Sequence, residues 1–263
     1  MHREAYSLIT AVCCGWIFFA FFHTGHAQSL KFQHIGVEEG LSQDIVTSIV
    51  QDSLGFMWFG TEDGLNMYDG YGVTIFKNDP RDTNSLPANG IKSLMVDSRG
   101  RLWTGTTGDG SITEPGTRKF SRINLAMGEA AFREGEDSNI WISTSHGLYK
   151  YASDQKVVRV FTAIETWLPA NVMFFDQREK RLFVGSRVGL NVFSVLRDTL
   201  VAERAARGIA SITGHNVSAL CRSSNGDIFV GTLDAGLFRL SSDLRSVQQY
   251  RSYAGDQRTL SDY

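Results

Sequence analysis

A chain of 263 residues, 42% apolar and 21% charged, has enough apolar material for a sizeable core, which excludes a disordered tail. Its 26 Lys and Arg stand against 28 Asp and Glu, a formal charge of −2 with no basic block, and this argues against nucleic-acid binding. Only 4 Pro accompany 26 Gly, 17 Phe and 5 Trp, a composition that suits many short strands joined by glycine turns.

The first segment reads as an address. Arg3 precedes an apolar run from Leu8 to Phe22, and His23-Thr24-Gly25-His26-Ala27-Gln28 follows, with small residues at Gly25 and Ala27. A positive start, an apolar middle and a small-x-small end predict a signal peptide over 1–27, cut between Ala27 and Gln28. The run is shorter than the roughly 20 apolar residues a membrane span needs. Lipid attachment at Cys13 or Cys14 fits poorly, because most of the apolar run comes after them. The mature chain, 28–263, is therefore expected to be exported, and Cys221 is its remaining cysteine. Its place in the apolar run Val217-Ser218-Ala219-Leu220-Cys221 predicts a buried structural thiol rather than a reactive or metal-binding one.

Lys31-Phe32-Gln33-His34-Ile35 has the character of an outer strand without the three strands that should precede it. Five runs then share one shape, an aromatic followed by two small or apolar residues and a hydroxyl: Trp58-Phe59-Gly60-Thr61, Trp103-Thr104-Gly105-Thr106, Trp141-Ile142-Ser143-Thr144, Phe183-Val184-Gly185-Ser186 and Phe229-Val230-Gly231-Thr232. Their aromatics are 45, 38, 42 and 46 residues apart, a period in the range of propeller blades. An apolar strand and a tight turn precede the aromatic, as in Ser48-Ile49-Val50-Gln51-Asp52-Ser53-Leu54-Gly55 and Ser93-Leu94-Met95-Val96-Asp97-Ser98-Arg99-Gly100. The third unit degenerates there to Glu134-Gly135-Glu136-Asp137-Ser138-Asn139, and the fourth carries Gln177-Arg178-Glu179-Lys180. A third strand follows, such as Gly64-Leu65-Asn66-Met67-Tyr68 or Gly236-Leu237-Phe238-Arg239-Leu240, and then a more polar fourth, such as Val73-Thr74-Ile75-Phe76.

Each unit is thus expected to be a four-stranded antiparallel meander. The aromatic strand is apolar on both faces, as in Phe56-Met57-Trp58-Phe59, so sheets must cover it on both sides. Radial packing of blades does this, and predicts an all-β propeller with five complete blades. Gly60, Gly105, Gly185 and Gly231 then serve close packing between blades. Leu260-Ser261 matches Leu41-Ser42, and Leu41 and Leu86 both lie 17 residues before their tryptophans, so a sixth repeat is expected to begin near Leu260. The arrangement expected is an incomplete seven-bladed ring.

No residue is assigned a catalytic, metal or cofactor role. A propeller lyase would need a His as base with a metal or carboxylate beside it. His146 and His215 are the candidates, with Asp63, Asp109 and Asp234 in the turns after the aromatic strands, but nothing pairs them at a ligand spacing. Gly105-Thr106-Thr107-Gly108-Asp109-Gly110 lacks the Lys of a phosphate loop and reads as a turn of the second repeat. Asn216-Val217-Ser218 opens a strand, and its glycosylation triplet is read as chance.

The runs Glu39 to Val46, Gln51 to Thr61 and Asp63 to Gly70 resemble the two-component regulator propeller repeat, and Asn84 to Thr106 repeats the pattern. The resemblance implies a periplasmic sensor module of a hybrid sensor histidine kinase, the class by which Bacteroidetes detect oligosaccharides. Its implied partner is a carbohydrate or other small ligand, within a receptor that dimerises and sits in the inner membrane. Membrane contact would come only through segments downstream of those present here, as would the kinase. A ligand site implied in this way would use exposed aromatics, for which Trp167 beside Thr166 and Pro169 is the candidate.

Overall fold

The computed structural model describes residues 32, 34–123, 130–152, 157–162, 170–196, 199–203 and 207–252. The chain divides into two compact units, Met1–His34 and Ile35–Tyr263. Of the first, Phe32 and His34 are described; the predicted signal peptide, its cleavage site at Ala27 and Gln28, the segment containing Trp167 and the expected sixth repeat at Leu260 lie outside the described residues.

The described residues of the second unit form five four-stranded antiparallel meanders. The first contains β1 (Val46–Gln51), β2 (Met57–Thr61), β3 (Gly64–Tyr68) and β4 (Val73–Phe76). The second contains β5 (Ile91–Val96), β6 (Leu102–Thr106), β7 (Gly110–Thr113) and the short β8 (Ser121–Arg122). The third contains β9 (Ala130–Glu134), β10 (Ile140–Thr144), β11 (Gly147–Tyr151) and β12 (Val157–Thr162). The fourth contains β13 (Val172–Asp176), β14 (Arg181–Ser186), β15 (Gly189–Leu196) and β16 (Thr199–Ala202). A short helix, α1 (Arg207–Ala210), leads to the fifth, with β17 (Val217–Arg222), β18 (Ile228–Thr232), β19 (Leu237–Leu240) and β20 (Val247–Tyr250). No helix among the described residues is long and apolar enough to cross a membrane.

The inner strands pack in chain order, β1 on β5, β5 on β9, β9 on β13 and β13 on β17, as in a propeller. Two contacts recur at these junctions. First, the repeat's aromatic shares a core with one residue of the next inner strand: Trp58 with Leu94, Trp103 with Phe132, Trp141 with Met173 and Phe183 with Leu220. Those partners are all in the same register, each opposite the residue that follows the aromatic of its own sheet. Second, the repeat glycine makes room for the start of the next inner strand. A Cβ added at Gly60 would lie 2.6 Å from Ile91, at Gly105 2.3 Å from the Ala130 carbonyl and at Gly185 2.4 Å from Val217. The expected close packing between blades is therefore the reason for these glycines. Ser143 stands where the third unit lacks glycine, and its Oγ accepts the Ala170 N–H at 3.1 Å.

Side chains of the preceding sheet also donate to the first carbonyl of the next inner strand. Thr47 Oγ1 donates to Ile91 at 2.9 Å, Ser93 Oγ to Ala130 at 2.5 Å and Asn171 Nδ2 to Val217 at 3.0 Å. These bonds satisfy acceptors that the radial arrangement removes from water.

Two expectations are corrected. Cys221 is exposed, because it sits opposite Phe229 on the face of the fifth sheet turned away from the fourth. The run is apolar, but only Val217 and Leu220 within it belong to the core shared with the fourth sheet. The strand expected at 31–35 also differs: Phe32, His34 and Ile35 are in no strand, and Phe32 is exposed. An outer strand needs a sheet edge to satisfy its amides. The following segment instead closes on itself, with Leu41 N donating to Gly36 O at 3.0 Å and Gly36 N to Glu39 Oε2 at 2.7 Å.

Candidate functional site

The meander fixes which groups share an end of the molecule. Turns between the first and second strands of each sheet lie at one end; turns between the second and third, with the connections between sheets, lie at the other. That second end is the mouth at which loops of all five sheets gather.

At the mouth, the hydroxyl ending each repeat motif closes a turn. Thr61 Oγ1 donates to Gly64 O at 3.0 Å, Thr106 to Asp109 O at 2.6 Å, Thr144 to Gly147 O at 3.2 Å, Ser186 to Gly189 O at 3.3 Å and Thr232 to Gly236 O at 2.8 Å. The same oxygens accept an N–H from within the turn, from Asp63, Asp109, His146, Val188 and Ala235 respectively. Ser42 extends this network, with Oγ 2.8 Å from Thr61 Oγ1 and N donating to Asn66 Oδ1 at 2.8 Å. The run at 105–110 is such a turn, as the sequence predicts.

Of the predicted histidines and carboxylates, the structure brings together His215 and Asp234. His215 Nδ1 lies 2.7 Å from Asp234 Oδ2, and the Asn216 N–H donates to Asp234 Oδ1 at 2.8 Å. The imidazole rests against Phe238, with ring centroids 5.7 Å apart. The hydrogen bond to His215, then that from Asn216, holds the Asp234 carboxyl below its ordinary value. His146 is engaged elsewhere, with Nδ1 3.0 Å from Ser145 Oγ. Asp63 pairs with Lys77 at 2.7 Å on the surface, and Asp109 accepts the Gly110 N–H at 2.8 Å. Among the described residues, no group of three His, Cys, Asp or Glu is placed to hold a metal.

The opposite end has its own device. Asp52 Oδ1 accepts the N–H groups of Leu54 and Phe56, and Oδ2 accepts the indole N–H of Trp58 at 2.8 Å. Asp97 does the same for Arg99, Arg101 and Trp103, the last at 2.8 Å. Arg101, which the sequence did not single out, adds a buried ion pair to Asp97 at 2.7 Å and lies over Trp103 and, from the next sheet, Tyr151. An Asp six residues before a Trp is the signal that could have found this pairing. The third repeat has Gly135 at that position, and the Trp141 indole N–H is buried without a partner.

Residues 40–63 and 85–108 match the two-component regulator propeller family. A 48-residue stretch is 48% identical to "Histidine kinase P4" of Formosa agariphila, covering 18% of this chain and 4% of that protein. The fold is similar to the extracellular domain of a hybrid two-component system of B. thetaiotaomicron, at a TM-score of 0.59 and 18% identity over 88% of this chain. This chain spans 38% of that domain's length. It is similar also to virginiamycin B lyase of Staphylococcus aureus, at a TM-score of 0.59 and 10% identity, covering 81% of this chain and 72% of the lyase. At these identities the solved structures establish a fold that receptors and an enzyme share. The chain carries two-component regulator propeller repeats, at residues 40–63 and 85–108, within a β-propeller fold of five four-stranded sheets.

Proposed function

We propose that the chain is an extracytoplasmic sensor module of a hybrid histidine kinase receptor, and that its ligand is an oligosaccharide. The observation that carries this reading is the regulator-propeller match at 40–63 and 85–108, and a 48-residue stretch of the chain that is 48% identical to a histidine kinase supports it. The N-terminal signal pattern supports export. Ligand binding at the mouth would shift the geometry of a receptor dimer held in the inner membrane, and the phosphorelay chemistry would belong to other segments of that receptor. Trp167, in the connection between the third and fourth sheets, remains the proposed sugar-stacking residue.

The test is an in-frame deletion of the codons for 28–263 in the source bacterium, with transcription measured during growth on individual glycans. Loss of induction on one glycan class, with growth on glucose unchanged, is the expected result. Unaltered induction on every glycan overturns the sensing role.

A further inference from the structure

The junction between the third and fourth sheets lacks the ties that bind the other three. At each of those, a polar side chain of the earlier sheet donates to the first carbonyl of the next inner strand, from Thr47, Ser93 and Asn171 in turn. In the third sheet the residue in the register of Ser93 is Ala131: Ser93 stands opposite Gly105, and Ala131 stands opposite Ser143. A methyl group has no proton to donate across the junction.

The glycine is missing at the same junction. Gly60, Gly105 and Gly185 each let the next inner strand come so near that a Cβ would lie 2.6, 2.3 and 2.4 Å from it. Ser143 puts a side chain there, and its hydroxyl is bonded to Ala170 N–H, ahead of β13 rather than on it. The aromatic that spans this junction is untethered as well. Asp52 and Asp97 hold the indoles of Trp58 and Trp103, while Trp141 Nε1 is buried without a partner. Among the described residues, what crosses here besides the apolar contact of Trp141 with Met173 is the exposed Arg133 over Phe174 and the exposed ion pair of Lys180 with Glu136. Surface pairs of this kind hold little.

We propose that this junction is a joint: the first three sheets are held together as one body, the fourth and fifth as another, and the molecule opens between them while the individual sheets stay folded. Apolar contact fixes the distance and angle of two sheets less closely than contact that carries directional bonds, so the junction with the fewest such bonds yields first. Four junctions built on one repeat make the comparison internal to the chain, and three departures from the repeat fall on one of them.

The test is fluorine NMR of the full chain carrying fluorotryptophan, followed through a urea titration, with each resonance assigned by the corresponding Trp→Phe variant. Trp58, Trp103 and Trp141 report the first, second and third junctions in turn. The Trp141 resonance is expected to reach its solvent-exposed position at a midpoint at least about 0.5 M below those of Trp58 and Trp103, while the far-ultraviolet circular dichroism of the sheets persists. Ser93→Ala, which removes a crossing bond and leaves the core side chains in place, should bring the Trp103 midpoint down toward that of Trp141. One shared midpoint for the three tryptophans overturns the proposal. Loss of dichroism together with the Trp141 transition also overturns it, since the sheets would then unfold with the joint, as does a Trp103 midpoint that Ser93→Ala leaves unmoved.

Discussion

Trp103 and Trp141 hold the same register position but differ in the fate of the indole N–H. The first donates to Asp97, while the second faces Gly135, where a Cβ would stand 2.5 Å from its Nε1. Both Trp→Phe changes empty buried ring volume, and Trp103→Phe should cost about 1–3 kcal/mol more than Trp141→Phe because it also removes a donor from the buried Asp97 oxygen. Urea unfolding of the two variants checks the contrast; equal losses would contradict it. Gly135→Asp should destabilise rather than restore the missing bond, because the ring already occupies the space. At the mouth, Asp234 has a folded pKa below its ordinary value of 3.8, so its contribution is full above that value and is lost as pH falls through the lowered one. Asp234→Asn should therefore flatten the acid limb of stability below about pH 4, and an unchanged limb would show that the pair with His215 contributes nothing.

The junction between sheets, rather than the sheet alone, explains the repeat motif. Gly105→Ala would put a methyl 2.3 Å from the Ala130 carbonyl, backbone that cannot swing aside, and should cost about 1–3 kcal/mol. The same change at Gly231, with its nearest neighbour Ala219 at 3.3 Å, should cost under about 1 kcal/mol. Thermal melting of both variants compares them directly, and a Gly231 variant as damaged as the Gly105 one would refute the junction account. Much of this was legible in the sequence, because an aromatic, a glycine and a hydroxyl at a period near 43 residues are each required by a contact the repeat makes with its neighbour. The hydroxyl's task in closing the mouth turn was not, since a Thr at the end of an apolar strand has no local signature of its partner. Cys221 was misread for a related reason: an apolar run records that a strand can be covered on both faces, not that both are.

Across the whole molecule, the arrangement of five similar sheets separates what the repeat needs from what one sheet holds alone. Asp52 and Asp97, the mouth hydroxyls and the glycines recur, and their roles are structural. The His215–Asp234 pair is found in the fifth sheet, where no repeat contact calls for it. Sequence spacing could not have paired those two residues, which lie 19 positions apart and meet because the connection into β17 passes the turn after β18. Trp167, the proposed sugar-stacking residue, falls between β12 and β13 in the sequence. Calorimetric titration of the purified chain against a panel of neutral and acidic oligosaccharides tests the sensing claim most directly. Saturable heat with one glycan class, lost on Trp167→Ala while the melting temperature is unchanged, is the result predicted. A cooperatively folded chain that gives no heat with any member of the panel contradicts it.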